Sequence, residues 1–211
     1  MTQQDVLDLK NKGYVILKNK VPQEWINKLS VGINNAFIEH RKTQIQNNND
    51  ITIGGVALHA LLSDNIFIDF LDFLIKENFI KDLEDYYFKS NCILNSFSAL
   101  NNIPQKPDSN KFFSGALQAT GKSGDMLVFD SNIWHSTGLN TTNKGRRGIP
   151  ITLSRSFMKQ LLDYPRAIGY DKIENFDPKL QQLLGYYSRV PSSLDEWYQP
   201  EEKRFYKKNQ D

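Results

Sequence analysis

The sequence is poor in residues that support several common kinds of protein chemistry. It has 211 residues but only one cysteine, Cys92, and three histidines, so an internal disulfide framework is excluded. We expect Cys92 to be a buried strand residue in a reducing compartment. No apolar run is long enough to span a bilayer, and residues 1–15 lack the apolar core and cleavage site of a signal peptide. We therefore expect a soluble, cytoplasmic protein.

The charges are almost balanced. Lys and Arg number 26 against 24 Asp and Glu, which leaves a formal net charge of +2. This balance gives no strong field for nucleic acid or an acidic membrane, so a small-molecule partner is the more natural expectation. With 39% hydrophobic residues, the chain is long enough for one well-buried core. We predict a single domain over residues 1–211.

The first part of the chain has helical periodicity. A short amphipathic helix ends at Gly13, and the strand-like Tyr14-Val15-Ile16-Leu17 follows. Pro22 then opens a longer helix, and a second helical region is predicted from Val56 to Tyr87. The apolar stripe of the longer helix is formed by Trp25, Leu29, Ile33 and Phe37.

Short apolar strands separated by turn residues dominate the middle of the chain. We predict strands at Cys92–Leu100, Met126–Phe129, Ile133–His135 and Ile149–Leu153. Helices followed by strands indicate an α+β fold with an antiparallel sheet. The predicted parts are helical residues 1–90, a β core over residues 91–158 and a wrapping tail over residues 159–211, with one short helix from Pro178 to Leu184.

The stretch from Gly121 to Asn140 is the most informative part of the sequence. The turn Gly124-Asp125 leads into an apolar strand, a polar corner follows, and His135 comes next. Arg146 lies eleven residues after His135. This pattern resembles the phytanoyl-CoA dioxygenase family, in which a Gly-Asp strand leads to the second iron-binding histidine and an arginine eleven positions later binds the co-substrate.

The resemblance implies specific roles for two side chains. His135 is the distal ligand of Fe(II), because a neutral imidazole is a good ligand for ferrous iron. Arg146 anchors 2-oxoglutarate, because a guanidinium forms a bidentate pair with a carboxylate. Arg147 is the alternative anchor, since strand alternation can turn either side chain inward. Taken alone, His135 would be read as a hydrogen-bonded structural residue, and the arginine pair as a solvated turn.

The resemblance covers nearly all of the chain and implies N-terminal helices packed on a double-stranded β-helix, the jelly-roll or cupin-like fold. It includes Gly13–Leu17, Gly54–Leu61, Leu94–Asn102 and Asp163-Tyr164-Pro165-Arg166. The implied activity is that of an Fe(II)/2-oxoglutarate-dependent dioxygenase that hydroxylates a small organic substrate.

The iron ligands of the family are incomplete in this sequence. The family supplies its first histidine and its carboxylate as His-x-Asp, but His40 is followed by Arg41-Lys42 and His59 by Ala60-Leu61. Asp108 is a carboxylate in about the right part of the chain, yet its neighbours offer no ligand. Two of the three residues that hold the iron therefore have no counterpart.

Strand counting points to the same deficit. A double-stranded β-helix has eight core strands of about five or six residues, whereas Asn91 to Phe157 has space for four or five. The shortfall, about half of the barrel, lies between Asn101 and Ala116. Either the protein has lost this segment, or its two sides are not contiguous in the natural chain. We expect the second, because an open sheet favours aggregation, and we then expect one Cα–Cα step near Pro104 to Lys106 to exceed the usual 3.8 Å.

Three functions follow from these observations. The first is the oxygenase. The second is a catalytically inactive family member that keeps an anion pocket around Arg146 without metal, as the lack of His-x-Asp suggests. The third is a cupin-like sugar-binding or isomerase jelly roll, which the spacing between His135 and Arg146 disfavours.

Overall fold

A computed structural model describes residues 1–49, 55–104, 115–207 and 210 of the chain. Its α-helices are α1 (Gln3–Lys12), α2 (Gln23–Gln46), α3 (Ile66–Lys76), α4 (Phe79–Leu83), α5 (Tyr164–Ile168), α6 (Tyr170–Ile173), α7 (Pro178–Leu183) and α8 (Leu194–Trp197). Its strands are β1 (Tyr14–Leu17), β2 (Val56–Ala57), β3 (Cys92–Phe97), β4 (Ala99–Asn102), β5 (Met126–Phe129), β6 (Arg146–Gly148) and β7 (Ile151–Arg155). Single 3₁₀ turns lie at Ala60–Leu62 and Glu201–Lys203, and a π-helical turn lies at Glu84–Phe88.

Helix α1 is capped at both ends. Thr2 caps the N-terminus in a reciprocal pair with Asp5, which satisfies backbone donors that the first turn leaves without partners. Gly13 ends the helix in the left-handed region, at φ 79°, where a residue without a Cβ is favoured. Val6 and Leu9 are the buried side of the helix. The predicted helix that stops at Gly13 is confirmed.

Helix α2 follows Pro22 and packs through the predicted apolar stripe. Leu29 and Ile33 are buried, while the flanking Trp25 and Phe37 are half-buried. The helix continues to Gln46, and Asn47 ends it with a side-chain bond to the Thr43 carbonyl at 2.8 Å.

The strands of the described residues form three small antiparallel sheets. β1 pairs with β5, and Tyr14 lies opposite Phe129. β4 pairs with both β2 and β6, and β3 pairs with β7 around a bulge next to Asn95. Helices and antiparallel sheets confirm the α+β class. The closure of these sheets into a jelly roll stays a prediction.

The chain forms two compact units that alternate along the sequence. One unit contains Met1–Ala57 and Ala99–Gly148, and the other contains Leu58–Ser98 and Ile149–Asp211. The first unit includes α1, α2 and the sheets β1–β5 and β2–β4–β6. The second includes β3–β7 and the remaining helices.

The core of the second unit surrounds Tyr164, whose side chain is completely buried. Its hydroxyl oxygen accepts the Phe97 backbone N–H at 3.0 Å and lies 3.3 Å from Nδ1 of His59. Burial raises the pKa of Tyr164 to about 12. Cys92 is fully buried on β3, as the sequence predicts, and burial raises the pKa of its thiol.

Several predicted elements differ from the structure. The second helical region is wrongly predicted to begin at Val56, because Val56–Ala57 form β2. Its helices α3 and α4 are separated at Asn78, which adopts φ 60°. Ile133–His135 is not a strand: the Ile133 N–H bonds to the Asp130 carbonyl in a turn. The tail contains α5, α6 and α8 in addition to the predicted helix near Pro178. The described residues between Asn91 and Phe157 form five strands, in agreement with the strand count.

The missing strands are predicted to belong between Asn101 and Ala116. Residues 105–114 of this stretch lie outside the described residues. The expected long Cα–Cα step near Pro104 to Lys106 therefore stays a prediction. Among the helices that the structure describes, none combines the length and apolar character needed to cross a bilayer.

Candidate functional site

The Gly124-Asp125 turn fixes the start of β5. Gly124 has φ 93°, and a Cβ built on it would lie 2.9 Å from the Val21 carbonyl oxygen. Its own carbonyl accepts the backbone N–H groups of Lys20 and Val21 at 2.8 and 2.9 Å. A side chain here would be strained by both the backbone angle and the close approach, so glycine is required for the turn.

Asp125 holds this corner together through its carboxylate. One oxygen accepts the Asn19 backbone N–H at 2.8 Å, and the other accepts the Lys122 backbone N–H at 2.8 Å and pairs with Lys18 Nζ at 3.0 Å. The two backbone donors, followed by Lys18, lower the pKa of Asp125 to about 2. Asp125 is therefore a structural anion of the turn.

β5 presents its more exposed face on the same side as His135. Leu127 and Phe129 are 47% and 41% exposed, and their partners across the ladder are Ile16 and Tyr14. The ring of Phe129 lies 4.8 Å from the ring of His135, measured between centroids. The imidazole thus rests on the open, apolar face of the β1–β5 sheet.

His135 is exposed and its ring is oriented by one hydrogen bond. Nδ1 lies 2.8 Å from the backbone carbonyl oxygen of Ile133. Because a carbonyl only accepts, Nδ1 carries the proton, and in the neutral ring Nε2 keeps its lone pair. This is the tautomer in which a histidine ligates a metal through Nε2 while its other nitrogen is tied to the protein.

Arg146 begins β6 and lies opposite Asn102 of β4. Its side chain is exposed, and Nη2 donates to the Gly138 carbonyl at 3.0 Å. The Asn102 amide donates to the same oxygen at 3.1 Å. Gly138 lies three residues after His135. A backbone carbonyl in the loop that follows His135 therefore accepts the hydrogen bond from the Arg146 guanidinium.

The guanidinium of Arg147 has different hydrogen-bond partners from that of Arg146. Nη1 donates to the carbonyl and hydroxyl oxygens of Ser30 at 3.0 and 2.6 Å, and Nη2 donates to the Asn34 side chain at 2.8 Å. Both acceptors lie on α2. The structure therefore brings Arg146 to the loop after His135 and directs Arg147 to the helix, as the alternation of side chains along a strand requires.

Two polar residues of this region were not identified as site candidates from the sequence. Asn102 and Asn140 are 7% and 3% exposed, and both hydrogen-bond the loop between His135 and Arg146. The sequence shows Asn140 in the corner after Gly138, but its partners become clear only from the pairing of β4 with β6.

The donor set for iron is incomplete in the described part of the chain. No group of three or more His, Cys, Asp or Glu side chains there could hold a metal ion. His40 lies on α2, His59 hydrogen-bonds Tyr164, and Asp108 lies outside the described residues. His135 is a suitable single ligand, but one imidazole does not fit the requirement for two histidines and a carboxylate.

Comparison with known proteins places this region in a family. The sequence model described as Phytanoyl-CoA dioxygenase (PhyH) matches residues 94–148, which include β4, β5, His135 and Arg146. An uncharacterized protein of Mycobacterium tuberculosis, Rv1501, is 44% identical over 106 residues, or 50% of this chain and 39% of that protein.

Fungal relatives carry dioxygenase names. Dioxygenase olcK of Penicillium canescens is 34% identical over 73 residues, 33% of this chain and 23% of that protein. Dioxygenase sphC of Aspergillus fumigatus is 26% identical over 92 residues, 40% of this chain and 25% of that protein. The chain thus spans two fifths or less of the length of these curated relatives. The match over residues 94–148, together with these relatives, assigns this part of the chain to the phytanoyl-CoA dioxygenase-like family.

Proposed function

We propose that the chain belongs to an Fe(II)/2-oxoglutarate-dependent dioxygenase that hydroxylates a small organic substrate, with Arg146 as the anchor of 2-oxoglutarate and His135 as one iron ligand. The observation that carries this proposal is the orientation of His135, whose Nδ1 is bonded to the Ile133 carbonyl at 2.8 Å. That bond leaves Nε2 available to a metal. Family membership supplies the reaction class.

The proposed role of Arg146 follows from its exposed guanidinium. Within the part of the chain that the structure describes, its Nη2 donates to the Gly138 carbonyl, and the planar fork can pair with a carboxylate through its other N–H groups. Arg147 is a poorer anchor, because its guanidinium already bonds to Ser30 and Asn34. A small-molecule substrate agrees with the net charge of +2.

Titration of 2-oxoglutarate, with and without Fe(II), tests the proposal. Arg146→Ala should weaken 2-oxoglutarate binding by about ten- to a hundredfold, because it removes a charge-assisted pair of about 1.5–3 kcal/mol. The matched control is Arg147→Ala, which should alter the affinity less than threefold once folding is verified by circular dichroism. Wild-type affinity in Arg146→Ala would contradict the assignment.

A second candidate is a binding module that keeps the anion site but performs no oxidation. It is favoured by the lack of His-x-Asp or His-x-Glu at any of the three histidines. Metal analysis separates the two functions. Stoichiometric iron in protein of verified mass 24.4 kDa would exclude the module, whereas 2-oxoglutarate binding without iron or decarboxylation would favour it.

A further inference from the structure

The loop from residue 140 to residue 145, which delivers Arg146 to its position, is organised by the side chain of Asn140. Its amide nitrogen donates to the carbonyl oxygens of Asn102 and Lys144 at 2.8 and 2.7 Å. Its amide oxygen accepts the backbone N–H and the hydroxyl of Thr142 at 3.2 and 2.7 Å. Two donors and two acceptor positions are all that an asparagine side chain offers. Asn140 is therefore fully satisfied while almost completely buried.

Asn102 connects this loop to the guanidinium. It lies directly opposite Arg146 in the antiparallel ladder, so the two side chains share a face of the sheet. Both donate to the Gly138 carbonyl, at 3.1 and 3.0 Å. The oxygen that orients Arg146 is thus itself held by Asn102, and the backbone of Asn102 is held by Asn140.

We infer that Asn102 and Asn140 are positioning residues that fix the guanidinium of Arg146 for an incoming carboxylate. The consequence for 2-oxoglutarate affinity rests on the proposed function. A free arginine side chain has considerable rotamer entropy, and less of it is lost on binding when the planar fork is already oriented. The two asparagines supply that orientation through Gly138 without contacting the ligand.

A negative charge introduced at position 102 gives the sharpest contrast. Asn102→Asp replaces a donor by a carboxylate beside Arg146, so the new anion repels the Gly138 carbonyl and competes with 2-oxoglutarate for the guanidinium. Asn102→Ala removes the donor alone. Both changes should weaken binding, and the aspartate variant should weaken it more.

The experiment combines NMR of arginine side chains with 2-oxoglutarate titration. In the wild type we expect separate Nη–H signals for Arg146, identified by their loss in Arg146→Lys, because the bond to Gly138 hinders rotation of the group. Asn102→Ala and Asn140→Ala should merge these signals and weaken 2-oxoglutarate about three- to tenfold, and Asn102→Asp should weaken it more than tenfold. Asn101→Ala is the matched control, because Asn101 pairs with Arg147 instead.

Urea unfolding of each variant at the same temperature shows whether a change in the Arg146 signals comes from a loss of global stability or from a loss of positioning. Asn102→Gln retains an amide donor and should recover separate Nη–H signals. Unchanged Arg146 signals in Asn102→Ala, or equal changes in Asn101→Ala, would overturn the inference. If the wild type shows ordered Arg146 signals that depend on Asn102 but binds no 2-oxoglutarate, the proposed function fails while the positioning role stands.

Discussion

Asp125 shows how a single charged residue of this sequence serves the fold. The family pattern marks Gly-Asp before the ligand strand, and the structure explains the aspartate by two backbone N–H bonds and the Lys18 ion pair. These partners lower the pKa of Asp125 to about 2. Because the folded state favours the ionised form, Asp125 contributes stability above the unfolded pKa of about 3.9.

We predict that this contribution is lost as the pH falls from about 4 to about 2. Over this range the wild type should lose free energy of unfolding more steeply than Asp125→Asn, because the amide has no proton to gain. Urea unfolding at closely spaced pH values measures the difference in slope. The control is Asp8→Asn on α1, because the Asp8 carboxylate is paired with the side chains of Gln4 and Lys12 but not with backbone N–H groups, and this change should alter the slope less. Parallel curves for wild type and Asp125→Asn would refute this role.

At the scale of elements, the β1–β5 ribbon depends on backbone conformations that only glycine adopts easily. Gly13 at φ 79° would place a Cβ 2.4 Å from Ile133, and Gly124 at φ 93° would place one 2.9 Å from the Val21 carbonyl. The two glycines lie at opposite ends of the paired strands. Gly13 therefore sets where β1 begins, and Gly124 sets where β5 begins. Because the two strands are paired, each start also sets the register of the partner strand.

Gly124→Ala should lower the free energy of unfolding by more than about 1 kcal/mol, because it combines a positive φ with a backbone clash. Gly138→Ala is a matched control, since a Cβ there would meet no heavy atom of the described residues within 4 Å and the backbone φ is not positive. Thermal or urea unfolding of both variants gives the comparison. Equal stability of the two would show that the turn adapts to a side chain.

The sequence predicts those elements whose patterns are local. The strand-like apolar runs Tyr14–Leu17 and Met126–Phe129 give β1 and β5 with correct bounds. Ile133–His135 is wrongly predicted as a strand, because the turn at Asp130 redirects the backbone.

In the site, too, local features can be predicted from the sequence and contacts between distant residues cannot. The spacing of His135 and Arg146 is visible in the sequence. The separate tasks of Arg146 and Arg147 are not, because they depend on the pairing of β6 with β4 and on the position of α2. The contribution of Asn102 requires that same tertiary pairing.

At the scale of the whole molecule, the face of β5 beside His135 exposes large apolar side chains to solvent. Leu127 and Phe129 face solvent, whereas Val15, on the other face of the ribbon, is 6% exposed. Large exposed apolar surfaces mark interaction sites or sources of aggregation. We therefore expect this face to influence the solution behaviour of the chain more than its stability.

We predict that Leu127→Ser combined with Phe129→Ser will reduce binding of the dye 1-anilinonaphthalene-8-sulfonate while changing the free energy of unfolding by less than about 1 kcal/mol. Val15→Ser should instead cost more than about 1 kcal/mol, because it removes buried apolar surface and introduces a hydroxyl. Dye fluorescence and urea unfolding measure the two effects. Strong dye binding by the double variant would place the apolar surface elsewhere.

The alternation of the two compact units also has a consequence for synthesis on the ribosome. β1 and α2 emerge early, but β5 and Arg147, which pair with them, follow about a hundred residues later, after the first segment of the other unit. That segment, Leu58–Ser98, must in turn await β7. Two incomplete units therefore coexist on the nascent chain, and sequence-distant contacts of this kind slow folding. Ribosome-associated chaperones that shield apolar segments during translation should consequently increase the folding yield of this chain more than that of a protein of the same size whose units are contiguous in sequence.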